Sequence, residues 1–176
     1  MTLALAEAGK NIRNAAGNKF SNMEKEEFIS IYHKSIGCNF NLDEFQKNDV
    51  ECSIRLFSLD EVGDFLNPWY IDNDGKKKDY NQNGNHISIK NCTKMLDIDN
   101  DEHKRHLSKI ENLKRLIKNN KLLLYDPIFP IVGFDGNKYV ILDGNHRIVA
   151  AYEIGITKYL VVYIKSSSFS KICPDF

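Results

Sequence analysis

The run from Ile128 to Ile164 constrains the fold more than any other part of the chain. IFPIVGF, Ile128 to Phe134, reads as a strand, Asp135-Gly136 as a tight hairpin turn, and KYVIL, Lys138 to Leu142, as the returning strand. DGNHR then breaks the strand. IVAAYEI has the makeup of a short helix ended by Gly155, and KYLVVYI, Lys158 to Ile164, is an almost wholly apolar strand. Strand, tight turn, helix and strand make a βαβ-like unit. The fold class that follows is α+β, a small mixed β-sheet with packed helices.

Upstream, four segments differ in character. Residues 1–19, MTLALAEAGKNIRNAAGNK, are rich in Ala, Gly and Asn and carry no aromatic residue, so they read as a flexible linker or frayed helix. From Phe20 the packing signals begin. Ser21 and Glu24 have capping-box spacing, and Phe28, Ile31, Tyr32 and Ile36 recur at helical spacing before Gly37. With a second short helix from Leu42 to Gln46, residues 20–50 are expected to form an N-terminal helical extension. SIRLF from Ser53 alternates like a strand and LDEVGDF like a helical turn, opening the main domain over 51–165. Residues 67–94, rich in Asn-Pro, Asp-Gly and Asn-Gly pairs, predict loops and at most one hairpin, with Trp69 and Tyr70 as aromatic anchors at its start.

The clearest helix follows. Asp99 or Asn100 can cap it, Asp101 and Glu102 suit the positive end of its dipole, and Leu107, Ile110, Leu113 and Ile117 form one stripe. Lys114, Arg115, Lys118 and Lys121 crowd its far end, which suits dipole complementarity and a solvated face. After the last strand, residues 166–176 read as an irregular tail.

Bulk properties exclude several classes. Lys plus Arg and Asp plus Glu number 24 each, so the net charge is zero, which argues against a protein that coats nucleic acid by bulk charge. Locally, residues 41–64 carry seven acids against two bases and residues 101–121 seven bases against three acids. Cys38, Cys52, Cys92 and Cys173 contain no CxxC pair, which points to reduced thiols and a cytoplasmic setting. No apolar run approaches membrane-spanning length, so stable membrane insertion is not expected. GxxxxGK[ST], GxSxG and HExxH are all absent, which removes P-loop, α/β-hydrolase and zincin readings.

The residues that carry chemistry are Asp143, Gly144, Asn145, His146 and Arg147, set where a strand must turn sharply into a helix. Gly144 lets the backbone approach a ligand closely, and the following helix aims unpaired N–H groups at the same spot. Arg147 can hold phosphate oxygens in a bidentate fork, and His146 can donate to a phosphate or move a proton. Asp143 would repel a bare phosphate, so it suggests a Mg²⁺ bridge or a general base. On the residues alone, a capped hairpin end with a turn glycine is an equal alternative.

The run from about Ser108 to Ile164 resembles the ParB/sulfiredoxin superfamily. IENLKRLIKNN matches the helix, DPIFPIVGFDGNKYVILDG the paired strands, and NHRIVAAYEIGI with KYLVVYI the helix and closing strand. Gly144, Arg147, Ala150, Ala151 and Gly155 fit the family's Gly-x-x-Arg box and the helix behind it. SIRLFSLDEV matches the opening strand and helix, so the resemblance spans Ser53 to Ile164 and leaves the first fifty residues without a counterpart. It implies a nucleotide-phosphate site at Gly144, Asn145, His146 and Arg147, with ATP or another NTP and Mg²⁺ as cofactors. The DG-x-His-Arg pattern is closest to the free-serine-kinase branch. Asn145 stands where sulfiredoxins carry their catalytic Cys, and His146 where typical ParB proteins carry Arg. No helix-turn-helix pattern follows, so neither sulfiredoxin chemistry nor chromosome partition is expected.

The expected function is therefore a nucleotide-binding phosphoryl-transfer or NTP-hydrolysing enzyme with Asp143, His146 and Arg147 in catalytic roles. A nuclease guided by the basic helix and Lys76 to Lys78 is the first alternative, and a non-catalytic nucleotide-sensing or protein-binding module the second. The Ala/Gly-rich start and the box near the C-terminus also resemble the toxin modules of bacterial polymorphic toxins. That resemblance implies delivery into a target cell's cytoplasm and a cognate immunity protein. His103 and His106 read as a solvated helix start, His33 as a core-edge residue, and His86 as a loop residue within possible reach of the DGNHR turn.

Overall fold

A computed structural model describes residues 20–79, 84–119 and 129–176. The linker expected over 1–19 lies outside them, as do the centre of the Asn/Gly-rich loop, Lys121 and Ile128. The architecture is α+β, with helices on both faces of one mixed sheet. Eight strands form it: β1 (Phe20–Met23), β2 (Glu51–Ser58), β3 (Leu66–Ile71), β4 (Lys77–Asp79), β5 (Asn85–Ser88), β6 (Ile131–Phe134), β7 (Tyr139–Asp143) and β8 (Lys158–Lys165). Their order is β1-β2-β8-β6-β7-β3-β4, and β5 pairs separately with β3. The sheet is mixed because β8 runs parallel to β6, and β3 to β7, while every other pairing is antiparallel.

Alternation along the strands creates two cores. On β8, Tyr159, Val161 and Tyr163 face one side and Val162 and Ile164 the other. The first side is covered by α5 (Asp101–Lys118) and α6 (Asn145–Glu153), which contribute Ile110, Ile117, Ile148, Val149, Ala150 and Ala151. The second is covered by α1 (Lys25–Ile31), α2 (Leu42–Lys47) and α7 (Phe169–Ile172), which contribute Phe28, Phe45, Phe169 and Ile172. Short helices α3 (Leu59–Gly63) and α4 (Ile89–Cys92) complete the first side.

Several local expectations hold for the expected physical reasons. The helical turn expected from Leu59 is α3, opened by a reciprocal capping box between Ser58 and Glu61 that the sequence reading did not single out. Asn100 caps α5 by accepting from the Glu102 and His103 N–H groups. The Asp135 carboxylate accepts from the Asn137 and Lys138 N–H groups to close the β6–β7 hairpin.

Four differ. Residues 20–23 form a strand on the β2 edge and the helix starts only at Lys25, so 20–50 is a β-strand plus helices rather than a purely helical extension. The edge of β2 was available for pairing, and local cap spacing could not register it. Residues 67–94 hold most of three strands and α4, because Asn67, Pro68 and Trp69 are buried in the sheet. The unit after the hairpin is not a simple parallel crossover, since β8 pairs with β6 and is antiparallel to β7. The tail is also core: Phe169, Ile172 and Cys173 are buried, and Asn41 N–H donates to the Ile172 carbonyl at 2.8 Å. All four cysteines are free thiols. No helix among the described residues is long and apolar enough to cross a membrane.

Candidate functional site

β7 ends at Asp143, and Gly144 caps α6 in the left-handed region at φ 80°. A Cβ at Gly144 would lie 2.9 Å from Pro130 Cβ and 3.0 Å from Arg147 Nη2, so this turn accepts only glycine without rearrangement. The next residues, Asn145 and His146, open the nine-residue helix and face a cleft of about 200 Å³. Its walls include Gly37, Trp69, Asp79, His106, Lys109, Asp143, Asn145 and His146. The DGNHR turn therefore lies at a cavity, with Arg147 beside it holding Asp143 Oδ2 at 3.4 Å.

Burial pushes the Asp143 carboxyl above its ordinary range, against the opposing pull of Arg147. Burial also pushes His146 down, to about 3, with Lys109, His106 and Lys77 adding to the effect. Its imidazole is thus neutral throughout the physiological range. It is suited to accept or donate a hydrogen bond and is not a cation.

The cleft contains residues that the sequence reading left outside it. His106 Nδ1 is 2.7 Å from His146 Nε2, and the two rings lie nearly parallel with centroids 5.0 Å apart, as an in-plane hydrogen bond between their edges requires. Trp69, 1% exposed, presents an edge-on contact to both, at 4.7 Å and 5.4 Å. It is an anchor, but of the site rather than of a loop. The other nitrogen of His106 is 3.3 Å from Asp79 Oδ2, while Asp79 Oδ1 accepts from Lys77 Nζ at 2.9 Å. Lys77 is buried between exposed Lys76 and Lys78, with its ammonium 4.3 Å from the Trp69 ring centroid. Burial alone would raise Asp79, but hydrogen bonds with His106, Glu102 and Lys77 hold its carboxyl well below the usual range.

Other sequence candidates resolve separately. His103 is buried and accepts from the Asp97 N–H at 2.9 Å, so it braces the entry to α5 rather than sitting in solvent. His86 lies 3.1 Å from the Asp175 carbonyl and against Phe176, and is not among the residues lining the cleft. His33 bonds the Ile29 carbonyl. Lys114 is held by Glu111 and Glu153, which removes it from any phosphate track. Lys104, Arg105, Ser108, Lys109 and Asn112 instead line a shallow groove along α5, and Lys109 belongs to both groove and cleft.

The described residues that converge as a metal-type ligand set are Asp79, Glu102 and His106, with ligand atoms within 4.8 Å of one another. Asp143, the Mg²⁺ candidate, is not one of them; its close partner is Arg147. Glu102 and His106 sit four apart on α5, a spacing visible in the sequence, but only the tertiary position of Asp79 gives it meaning. No protein-family model matches this chain, and no curated protein or solved structure matches it either.

Proposed function

We propose that the chain is a phosphate-directed enzyme that binds a nucleoside triphosphate at the DGNHR turn and transfers or hydrolyses a phosphoryl group. The observation that carries this reading is one cleft lined by Asn145 and His146 at the α6 N-terminus, by Lys109 and by His106, with Gly144 and Arg147 adjoining it next to Asp143. Its volume, about 200 Å³, is below the roughly 300–1,000 Å³ usual for a whole small-molecule site. It suits phosphate groups, with the nucleoside at the mouth.

In this reading the Asn145 and His146 N–H groups and the Arg147 fork hold phosphate oxygens, and Lys109 offsets the remaining charge. Arg147 exchanges its long contact to Asp143 for the ligand. Asp143, relieved of that partner and raised by burial, accepts the proton of the attacking hydroxyl or water. His146 donates a neutral hydrogen bond to the developing charge, and His106 and Asp79 fix its orientation. The likeness of the DGNHR box to the ParB/sulfiredoxin superfamily, and to its kinase branch, supports the same assignment. Phosphate release from ATP, CTP and GTP by wild type, abolished in Arg147→Ala and His146→Ala, tests it; no release from any of them removes the catalytic part.

One observation favours a nucleic-acid substrate as the second reading. Lys109 joins the cleft to the basic α5 groove, which would let flanking phosphates of a strand lie along Lys104 and Arg105. Cleavage of plasmid, total RNA or tRNA by wild type and not by His146→Ala separates this from the first. Either chemistry suits a toxin module delivered into a target cell's cytoplasm, with an immunity protein covering the cleft.

A further inference from the structure

Asp79 and His106, which orient His146, also meet Glu102, whose carboxylate has no role at the phosphate site. Asp79 closes β4, while Glu102 and His106 lie one helical turn apart on α5, so two independent elements bring the three groups together. The imidazole is already oriented. Trp69 packs edge-on against the His106 ring at 4.7 Å, and His146 Nε2 lies 2.7 Å from Nδ1, leaving Nε2 toward Asp79 Oδ2 at 3.3 Å. A metal-bound histidine usually has this arrangement, one nitrogen to the ion and the other hydrogen-bonded to a supporting group. Asp79 is oriented in the same way: Oδ1 is held by the buried Lys77 ammonium and Oδ2 faces the cluster. Two carboxylates against one ammonium leave a net negative charge for a cation.

We propose that Asp79, Glu102 and His106 bind a divalent first-row transition ion, with one imidazole nitrogen and two carboxylates as protein ligands. An N/O₂ set of this kind suits Zn²⁺ or Mn²⁺ better than Mg²⁺, which prefers all-oxygen surroundings. Three protein ligands leave a position for water or a substrate oxygen, the arrangement of catalytic rather than structural sites. His146 would be a positioning residue for this ion, acting through His106. The proposal does not depend on nucleotide binding.

The test is calorimetric titration of the chelator-stripped chain with Zn²⁺, Mn²⁺ and Mg²⁺, with Co²⁺ absorption reporting coordination. One equivalent of Zn²⁺ or Mn²⁺ is expected to bind at least about tenfold more tightly than Mg²⁺. Glu102 is exposed and its N–H, not its side chain, engages the Asn100 cap, so Glu102→Gln keeps the fold, which circular dichroism checks. That variant is expected to lose at least about tenfold in affinity and change the Co²⁺ spectrum, and His146→Gln to weaken binding by about 10–100-fold while retaining all three ligands. Absence of stoichiometric Zn²⁺ and Mn²⁺ binding overturns the proposal. So does wild-type affinity in the folded Glu102→Gln protein.

Discussion

His106 and His146, forty residues apart in sequence, meet at 2.7 Å between Nδ1 and Nε2. One ring comes from the first half of α5, the other from the first turn of α6, and Trp69 on β3 touches both. Two side chains acting as a unit lose function together. His106→Ala and His146→Ala are each expected to lower turnover, and the double variant to be little worse than the more damaged single one. Initial rates across the four-protein cycle check this; additive losses would show that the pair does not act as one.

Trp69 should couple stability to the site. It is 1% exposed, and removing a buried Trp side chain costs about 3–5 kcal/mol. Urea unfolding of Trp69→Ala is expected to show a loss in that range. Histidine ring resonances of both His106 and His146 should shift in the folded variant. A loss below about 1 kcal/mol would mean that the ring is not packed as described.

Gly144 and Gly136 both have positive φ, but only Gly144 is crowded. A Cβ there meets Pro130 at 2.9 Å, whereas one at Gly136 meets nothing within 4 Å. Gly136→Ala should carry backbone strain alone, about 1–2 kcal/mol. Gly144→Ala should cost more and also weaken phosphate binding. Equal melting temperatures for the two variants would contradict the close approach at the DGNHR turn.

The hairpin, the helix after it and β8 were legible because local signals agree there: alternating apolar residues, an Asp-Gly turn and a strand-breaking box. The core of the candidate site, Asp143 to Arg147, was legible for the same reason. Its other half was not. Lys77 sits in a run of three lysines that reads as solvated, yet period-two alternation on β4 buries the middle one. His106 lies among Glu102, His103, Lys104 and Arg105, and only the docking of α5 against β3 and α6 turns it inward. The tail was misread although Phe169, Ile172 and Cys173 stand at helical spacing, because one four-residue turn is too short to establish a period. Truncation after Lys165 should therefore abolish cooperative unfolding, and Ile172→Ala should cost about 2–5 kcal/mol.

The thiols should differ sharply in reactivity. Burial pushes the Cys52 and Cys92 thiols up to about 12, so almost no thiolate exists at pH 8. Cys173 is also raised, by its hydrogen bond with Cys38 and by burial. Only Cys38 is partly exposed. Native protein at pH 8 should label at Cys38 alone, with all four labelled in denaturant, and protection of Cys52 and Cys92 should persist until the pH nears their raised values or the fold opens. Rapid native labelling of Cys52 or Cys92, read by mass spectrometry, would contradict the packing.

The proposed toxin role makes a separate prediction. Expression in a bacterium should arrest growth, and Arg147→Ala should relieve the arrest at equal protein levels. Unimpaired growth at good expression of the wild type would remove that role while leaving the site chemistry untouched.

A phosphate site at the DGNHR turn, as proposed, predicts that nucleotides stabilise the fold. The most direct measurement is the melting temperature of wild type and Arg147→Lys with ATP, CTP and GTP in Mg²⁺. At a ligand concentration of about 100 times Kd, binding adds roughly 2.7 kcal/mol, enough to raise the melting temperature by several degrees. At least one nucleotide should do so in wild type, and Arg147→Lys, which keeps the charge but loses the fork, should lose most of the shift. No shift in wild type with any of the three, or the same shift in Arg147→Lys, would contradict the account.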